Sequence, residues 1–452
     1  SPTLFRNDIN RHISQMVTTR VSTTNSPWLK GFAVGDLHTI AVSHGEGKFV
    51  VNEELARELF ANGQGAFQYV DPIDEEVTME SPYNPNGSYY GIEGIINDHL
   101  VNLNEQLDTE EKQRLLRQTP SAALRSCRYK LPSADKEPAV YEKIRATLEK
   151  HDIGAFFYIG GNDSMDTVAK LSAYFNEVGS PIRVMGVPKT IDNDLCLMDH
   201  TPGYGSAAKF VATSMWEMIR DCTVYELDSV LIVEIMGRDT GWLTAAAALP
   251  RLHGCDAPHL VYLPEVAFSA DRFIEDVREA QKKSRTVIVA VSEGVEMDGL
   301  DDFQSGKVDN FGHKYLSGIG KCLEELVQER IGCKVRSVEL NILQRCAAHI
   351  ASETDLAEAE QLGAVAVKAA KDGWSGLVSA IVSRGEEGYA PVYDTVPMCD
   401  VANKVKHVPR EWINEAGNDV LSEVLAYIQP LIIGEPVIVT ENGLAKHFII
   451  NV

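Results

Sequence analysis

An α/β protein built on a doubly wound parallel sheet is the fold this sequence predicts, and three observations predict it. Short apolar runs recur from about residue 140 onward, amphipathic segments of helical length separate them, and residues suited to ligand chemistry fall just after the runs. The first ninety residues do not follow this alternation and read as a separate unit.

The candidate strands are 155–159, 182–187, 230–235, 259–263, 287–291 and 335–340. Each is too short for a stable helix and rich in β-branched, aliphatic or aromatic residues. Between them, 140–150, 165–176, 207–219 and 271–282 carry apolar residues at helical spacing. Parallel strands joined by helices collect their following loops at one edge of the sheet, where ligands bind. Upstream, turn-rich stretches such as Asn84-Pro85-Asn86-Gly87 interrupt the pattern, and a polar stretch at 98–138 is expected to form a helical linker or cap. Residues 436–452 alternate apolar and polar around Asn442-Gly443, a hairpin signal.

Composition narrows the function classes. Of 452 residues, 42 are basic and 65 acidic, a net charge of −23 that disfavours nucleic acid or an anionic membrane surface as a partner. The longest apolar runs fall far short of the roughly 20 residues that span a bilayer, and the opening residues lack the basic-then-apolar order of a secretory leader. A cytoplasmic protein is expected. The 8 cysteines are scattered singly without a Cys-x-x-Cys pair, so reduced and mostly buried thiols are expected in place of a zinc site or disulfide framework.

The chemistry lies at successive strand ends. The run 155–159 opens into Gly160-Gly161-Asn162-Asp163-Ser164, where paired glycines let a backbone approach closely and a helix N-terminus offers free N–H groups to a phosphate. Taken alone, this is equally an ordinary turn and helix cap. The second run is followed by Lys189-Thr190-Ile191-Asp192-Asn193-Asp194. One carboxylate there can take a proton from an attacking hydroxyl, another can orient it or hold Mg²⁺, and the lysine can neutralise a phosphate. A solvated turn would explain Asn193 and one aspartate but not the lysine and the second acid. Met236-Gly237-Arg238 follows the third run, Glu293 follows the fifth, and Arg336 and Arg345 flank a strand-like segment that could aim two guanidiniums at a phosphate. Each has a bland alternative. Their joint occurrence in a strongly acidic chain is what the bland alternatives leave unexplained.

These motifs, over about residues 90–452, resemble the phosphofructokinase family. In that family the first motif is Gly-Gly-Asp followed by Gly-Ser in ATP users or Asp-Ser in pyrophosphate users. The second is Pro-Gly-Thr-Ile-Asp-Asn-Asp or Pro-Lys-Thr-Ile-Asp-Asn-Asp, respectively. Asp163 and Lys189 both match the pyrophosphate pattern. A side chain larger than glycine, where an adenosine diphosphate tail would lie, excludes ATP.

The resemblance implies transfer of phosphate from pyrophosphate to the 1-hydroxyl of fructose 6-phosphate, a glycolytic step, by a Mg²⁺-requiring homo-oligomer. By it, Asp192 is the general base, assisted by Asp194, with Lys189 and Arg238 as the further catalytic groups. Thr190, Ile191, Met236, Gly237, Glu293, Arg336 and Arg345 bind the sugar phosphate, one arginine reaching in from a neighbouring subunit. Gly160, Gly161, Asp163, Ser164 and Arg128, the last within Leu124-Arg-Ser-Cys-Arg128, meet the donor, and Asp163 with Asn162 holds the metal. Two positions depart from the family pattern: Asn162 replaces a metal-ligating aspartate, and Ile342 replaces a His or Tyr.

Residues 3–90 resemble a different family, the glutaminase domain of phosphoribosylformylglycinamidine synthase. The match is carried by Arg11-His12, Ser26-Pro27-Trp28-Leu29, the 43–49 segment with His44 and Glu46, Asn62-Gly63-Gln64, Gln68-Tyr69-Val70-Asp71 and the 83–88 segment. No cysteine precedes Cys127, so the thiol of a glutaminase is missing. His44 and Glu46 are therefore read as structural, within a β-rich fragment.

The organisation expected is a glutaminase-like fragment at 1–92 of flavodoxin-like type, then a phosphofructokinase-like catalytic region of two α/β lobes at 93–452. In such a chimera the fragment stands in for the family's first βαβ unit, and residues 1–90 hold no Gly-Gly pair to serve as its phosphate loop. The alternatives to an active phosphotransferase are a catalytically dead sugar-phosphate binder and a glutamine amidotransferase.

Overall fold

The computed structural model describes residues 3–5, 13–25, 29, 32–44, 48–95, 101–124, 126, 129–297, 318–385 and 388–450. The chain divides into two compact units, Ser1–Glu105 and Gln106–Asn451. Among the described residues no helix is long and apolar enough to cross a membrane.

The first unit is built on a four-stranded sheet in the order Leu37–His44, Ile13–Val21, Gly65–Tyr69, Ile92–Ile95, with every pairing antiparallel. This departs from the flavodoxin-like arrangement expected of it. A flavodoxin-like sheet is parallel and needs a crossover between neighbouring strands, whereas Ile13–Val21 and Leu37–His44 pair antiparallel and need only a short connection. The helix Glu53–Ala61 starts at Asn52, whose side chain accepts the Leu55 N–H at 2.9 Å, and buries Ala56 and Leu59 against Phe49, Val51 and Ile92.

The quoted motif residues of this unit act as local locks. Asn84 Oδ1 accepts the N–H groups of Gly87 and Ser88 at 3.1 and 3.0 Å, and Asn86 donates to the buried Tyr69 hydroxyl at 2.9 Å. Gln68 accepts from Ser22 Oγ and donates to Tyr90 O, both at 2.9 Å. Glu46, Arg11-His12 and 26–28 lie outside the described residues.

In the second unit two parallel sheets carry the expected doubly wound pattern. One runs Leu260–Tyr262, Thr286–Ser292, Ser229–Ile235, Lys334–Glu339, all parallel. Its central strand is buried on both faces: Leu231, Val233 and Ile235 pack with the helix Tyr204–Cys222, while Val230 and Ile232 pack with Ala270–Gln281 and Ile319–Arg330. Burial on both faces is why its sequence is a near-continuous apolar run. The other sheet places Ala155–Gly160 beside Arg183–Pro188 and then Leu377–Ser383, all parallel, with Val392–Pro397 antiparallel at the edge. Helices cover it from both sides, Val184 and Val378 packing with Met165 and Leu171 of Asn162–Glu177, and Met185 with Ala369 and Ala370 of Glu353–Lys371.

The polar stretch before residue 138 does form helix, Glu110–Gln118, whose Arg117 ion-pairs with Glu353 at 2.7 Å. The Asn442-Gly443 hairpin forms as expected, both residues at positive φ (53° and 84°) between Thr440–Glu441 and Leu444–Ala445. All described cysteines are free, but only Cys322 is buried; Cys399 is exposed and the others are half-buried, so mostly buried thiols was too strong an expectation.

The helix Tyr204–Cys222 begins at a junction that fixes part of the site. Its first turn has no cap of its own, and the buried Asp355 supplies one from Glu353–Lys371, accepting the N–H groups of Gly203 and Ser206 at 2.8 and 3.0 Å. Asp355→Ala strands two buried donors, so about 2 kcal/mol of stability should be lost. A shifted midpoint in chemical denaturation, with the slope retained, is the expected readout.

Candidate active site

The loops after the strands of both sheets meet around Asp192. After Ala155–Gly160 the chain turns at Gly161, which starts the helix Asn162–Glu177 without a side-chain cap. Gly160 O accepts the Lys189 N–H at 2.9 Å, and a Cβ on Gly161 would sit 3.6 Å from both Lys189 O and Thr190 Cβ, so the first two strand ends are in direct contact. Asp163 is exposed on the first turn of this helix. Asn162 is turned aside: its Oδ1 accepts the Asn403 N–H at 2.7 Å and its Nδ2 donates to Lys404 O at 2.9 Å.

Beyond Arg183–Pro188, Lys189 is exposed and Thr190 buried. Thr190 Oγ1 accepts the Asp192 N–H at 3.1 Å and lies 3.2 Å from Asp192 Oδ2, which closes a tight turn. Asn193 takes the left-handed conformation, φ 56°, and is fully buried, accepting the Thr201 N–H at 3.1 Å and donating to the Tyr427 hydroxyl at 2.9 Å. Asparagine is one of the few residues that holds this conformation at low cost.

The Asp192 carbonyl is held from the other sheet by Thr240 Oγ1 at 3.0 Å. After Ser229–Ile235, Met236 donates its N–H to Gln344 Oε1 at 3.1 Å, and Gly237 donates to Glu293 Oε1 at 3.3 Å. Two glycines here are obligatory. Gly237 has φ 142°, and a Cβ on Gly294 would fall 1.8 Å from Arg238 O. Ser292 Oγ locks the turn by donating to Gly237 O at 2.6 Å.

The electrostatics match this geometry. Burial pushes the Asp192 carboxyl above its ordinary value, opposed by its Thr190 contact and by the charges of Lys189 and Arg238. Burial, with the neighbouring Asp192 charge added, raises Asp194 to about 6. Burial likewise raises Glu293 to about 7, the Gly237 N–H and Arg238 pulling back and Asp192 pushing up. Asp194 Oδ1 and Arg238 Nε are buried with no hydrogen-bond partner among the described residues. A buried carboxylate oxygen and guanidinium nitrogen left unpaired on loops that meet around Asp192 are groups that a ligand can complete.

Asp192, Asp194, Thr190, Arg238, Gly237, Met236 and Glu293 are thus brought together, with Lys189, Gly160 and Gly161 beside them. Ile191 is half-buried on the turn, packed beside Gly203, and Ser164 follows Gly160 at the helix start. Arg345 is exposed at the end of the 3₁₀ turn Asn341–Arg345, two residues beyond the half-exposed Leu343 and next to the buried Gln344 that holds Met236. Arg336 is not brought to this cleft within one chain. It lies within Lys334–Glu339, paired opposite Leu231 on the strand that leads to Gly237, which sets it back from the strand end by roughly 20 Å at 3.3 Å per residue. Arg128 lies outside the described residues.

Sequence reasoning missed Thr240, Ser292 and Gln344, which hold the backbone of Asp192, Gly237 and Met236. A buried Thr, Ser or Gln carries no local signal of such a role.

The phosphofructokinase family profile matches residues 75–370. The chain belongs to the phosphofructokinase family. A second profile, the CobB/CobQ-like glutamine amidotransferase domain, matches residues 1–99, so a glutamine amidotransferase-like segment precedes the phosphofructokinase region.

Among curated phosphofructokinase relatives, the pyrophosphate–fructose 6-phosphate 1-phosphotransferase of Halomonas elongata is 39% identical over 79% of this chain and 85% of its own length. That of Methylococcus capsulatus is 36% identical over 76% and 82%. Among solved structures, the pyrophosphate-dependent phosphofructokinase of Marinobacter aquaeolei superposes with a TM-score of 0.65 at 34% identity, over 76% of this chain and 81% of that one. That of Nitrosospira multiformis does so at 0.66 and 33%, over 75% and 81%. The chain is accordingly an α/β phosphofructokinase in fold and an enzyme by family.

Proposed function

We propose that this enzyme moves a phosphoryl group from pyrophosphate to the 1-hydroxyl of fructose 6-phosphate. The observation that carries the reading is the convergence of a desolvated carboxylate, Asp192, with the cations Lys189 and Arg238 at facing strand ends. Relatives of similar sequence carry this activity in their names.

In the proposed reaction Asp192 accepts the proton of the 1-hydroxyl as its oxygen attacks the transferring phosphorus. The bridging P–O bond of pyrophosphate breaks, releasing orthophosphate and fructose 1,6-bisphosphate. Asp194, next to Asp192 and raised with it, orients the base, while Lys189 and Arg238 offset the charge spread over the transferring oxygens. Thr190, Ile191, Met236, Gly237, Glu293 and Arg345 line the sugar phosphate side, and Arg336, remote from the cleft of its own chain, serves that of a second copy. Gly160, Gly161, Ser164 and Arg128 belong to the donor side.

Mg²⁺ fits this donor set in a limited way. It is commonly held by one or two carboxylates together with substrate phosphates, and Asp163 is a free, exposed carboxylate at the helix start. The Asn162 oxygen already accepts the Asn403 N–H and has one lone pair left to offer. The ion would neutralise phosphate charge as it builds. No group of three or more His, Cys, Asp or Glu able to hold a metal occurs among the described residues.

One coupled assay tests the reading: the full chain with fructose 6-phosphate, Mg²⁺ and either pyrophosphate or ATP, reading fructose 1,6-bisphosphate. Turnover with pyrophosphate is expected. Turnover with ATP alone overturns the donor assignment, and retained sugar-phosphate binding without turnover on either donor establishes the inactive binder instead. Ammonia released from glutamine would overturn the structural role given to the first unit.

A further inference from the structure

One segment, Asn403 to Lys406, touches both halves of the catalytic cleft and belongs to neither. At one end, it is tied to the donor-side helix start by the two Asn162 bonds, and Asn403 Nδ2 donates to Asp166 Oδ1 at 3.0 Å on the next turn of that helix. At the other end, Val405 bridges Leu195, and the Lys406 N–H donates to Asp194 O at 2.8 Å. Its carbonyl accepts from Trp242 Nε1 at 2.9 Å, the first residue of the short helix after Arg238.

The Lys406 side chain runs beneath the aspartate turn. Its Nζ donates to Asn193 Oδ1 at 3.1 Å, Met198 O at 3.1 Å and Asp199 O at 2.7 Å, and sits 5.2 Å from the Trp242 ring centre. An ammonium has three donors, and all three are used. No donor remains for a substrate, so this lysine acts on the turn and not on the ligand. Asn193, between the two aspartates, holds its left-handed conformation through three side-chain bonds, of which Lys406 supplies one.

We infer that Asn403 to Lys406 is a brace that fixes the spacing between the Asp192–Asp194 turn and the donor-side helix start, and that Lys406 is its positioning residue. The inference rests on the reading that Asp192 is the base. An in-line transfer needs that carboxylate and the donor phosphate at one separation, and an ångström of drift costs about a hundredfold in rate. Binding of the sugar phosphate, made by groups the brace does not touch, is spared.

The test uses the full chain with Lys406→Met and Lys406→Arg. Lys406→Met keeps length and apolar bulk but removes the charge and every donor. Its kcat for fructose 6-phosphate phosphorylation, per folded molecule as counted by circular dichroism, should fall about a hundredfold with KM little changed; the count is needed because loss of folded protein alone would also lower apparent kcat without moving KM. Lys406→Arg, which restores charge and donors, should recover most of the loss. Hydrogen exchange read by mass spectrometry gives a second measure that needs no turnover: amides of 193–199 and 161–164 should exchange faster in Lys406→Met, while the strand Ser229–Ile235 keeps its protection.

Unchanged kcat, or faster exchange spread evenly over the second unit with no recovery in Lys406→Arg, overturns the brace. If the parent chain turns over with neither donor, the phosphotransferase reading fails by itself, and the exchange pattern still decides whether the segment couples the two loops.

Discussion

Asp192→Asn should lower kcat by about 10³-fold while leaving KM for fructose 6-phosphate nearly unchanged. The amide keeps the shape of the carboxylate and its contact with Thr190 Oγ1 but cannot take a proton. Folding should survive, because the turn is held by Thr190, Asn193, Thr240 and Lys406 through bonds that do not use the Asp192 carboxylate for support. Steady-state kinetics with pyrophosphate and a circular dichroism comparison separate the two effects. A variant that retains parental turnover would remove Asp192 from the role of base.

The pH profile of the parent enzyme is part of the same expectation. A base works in its unprotonated form, and burial raises the Asp192 carboxyl, so kcat/KM is full above the raised value and falls tenfold per pH unit below it. Asp194 at about 6 and Glu293 at about 7 titrate in the same region, so the acid limb belongs to the group of carboxyls and lies well above the ordinary carboxylate range.

How much of this was legible in the sequence depends on what kind of interaction fixes each part. The apolar runs at 230–235 and 287–291 become Ser229–Ile235 and Thr286–Ser292 nearly residue for residue, because a parallel strand buried on both faces leaves no room for polar positions. The strand Val392–Pro397 went unread: it is an antiparallel edge strand with alternating exposure, and its run is broken by Asp394 and Thr395. In the first unit, the quoted motifs turned out to be turn locks such as Asn84, whose role is local and polar, so the family likeness was readable while the antiparallel pairing was not.

The site divides the same way. Residues that follow a strand directly, Asp192, Arg238 and Glu293, were readable because the sheet itself delivers them to one edge. The supports of these loops lie up to 213 residues away in sequence: Thr240 holds the Asp192 carbonyl, Gln344 the Met236 N–H and Lys406 the Asn193 amide. Linear spacing also hid which end of a strand a side chain occupies. Arg336 and Arg345 look paired in sequence, yet Arg336 acts on Cys222 while Gln344, adjacent to Arg345, reaches the cleft.

Arg238 carries the second large effect. Its Nε is buried without a partner among the described residues, and such a nitrogen costs free energy until something accepts its proton. The same guanidinium lowers both Asp192 and Glu293, so its charge acts on the proposed base and on a carboxyl proposed to face the sugar phosphate. A transferring phosphoryl group brings oxygens whose charge grows at the transition state, and a fixed donor aimed there is worth about 10²–10³ in rate. Arg238→Ala should therefore lose that factor in kcat, and Arg238→Lys most of it, since an ammonium keeps the charge but not the planar fork. Removing the cation also removes what holds Asp192 and Glu293 down, so the acid limb of the residual activity should move to higher pH in Arg238→Ala and stay near its parental position in Arg238→Lys. An arginine serving only to bind the sugar phosphate would instead raise KM with kcat unmoved.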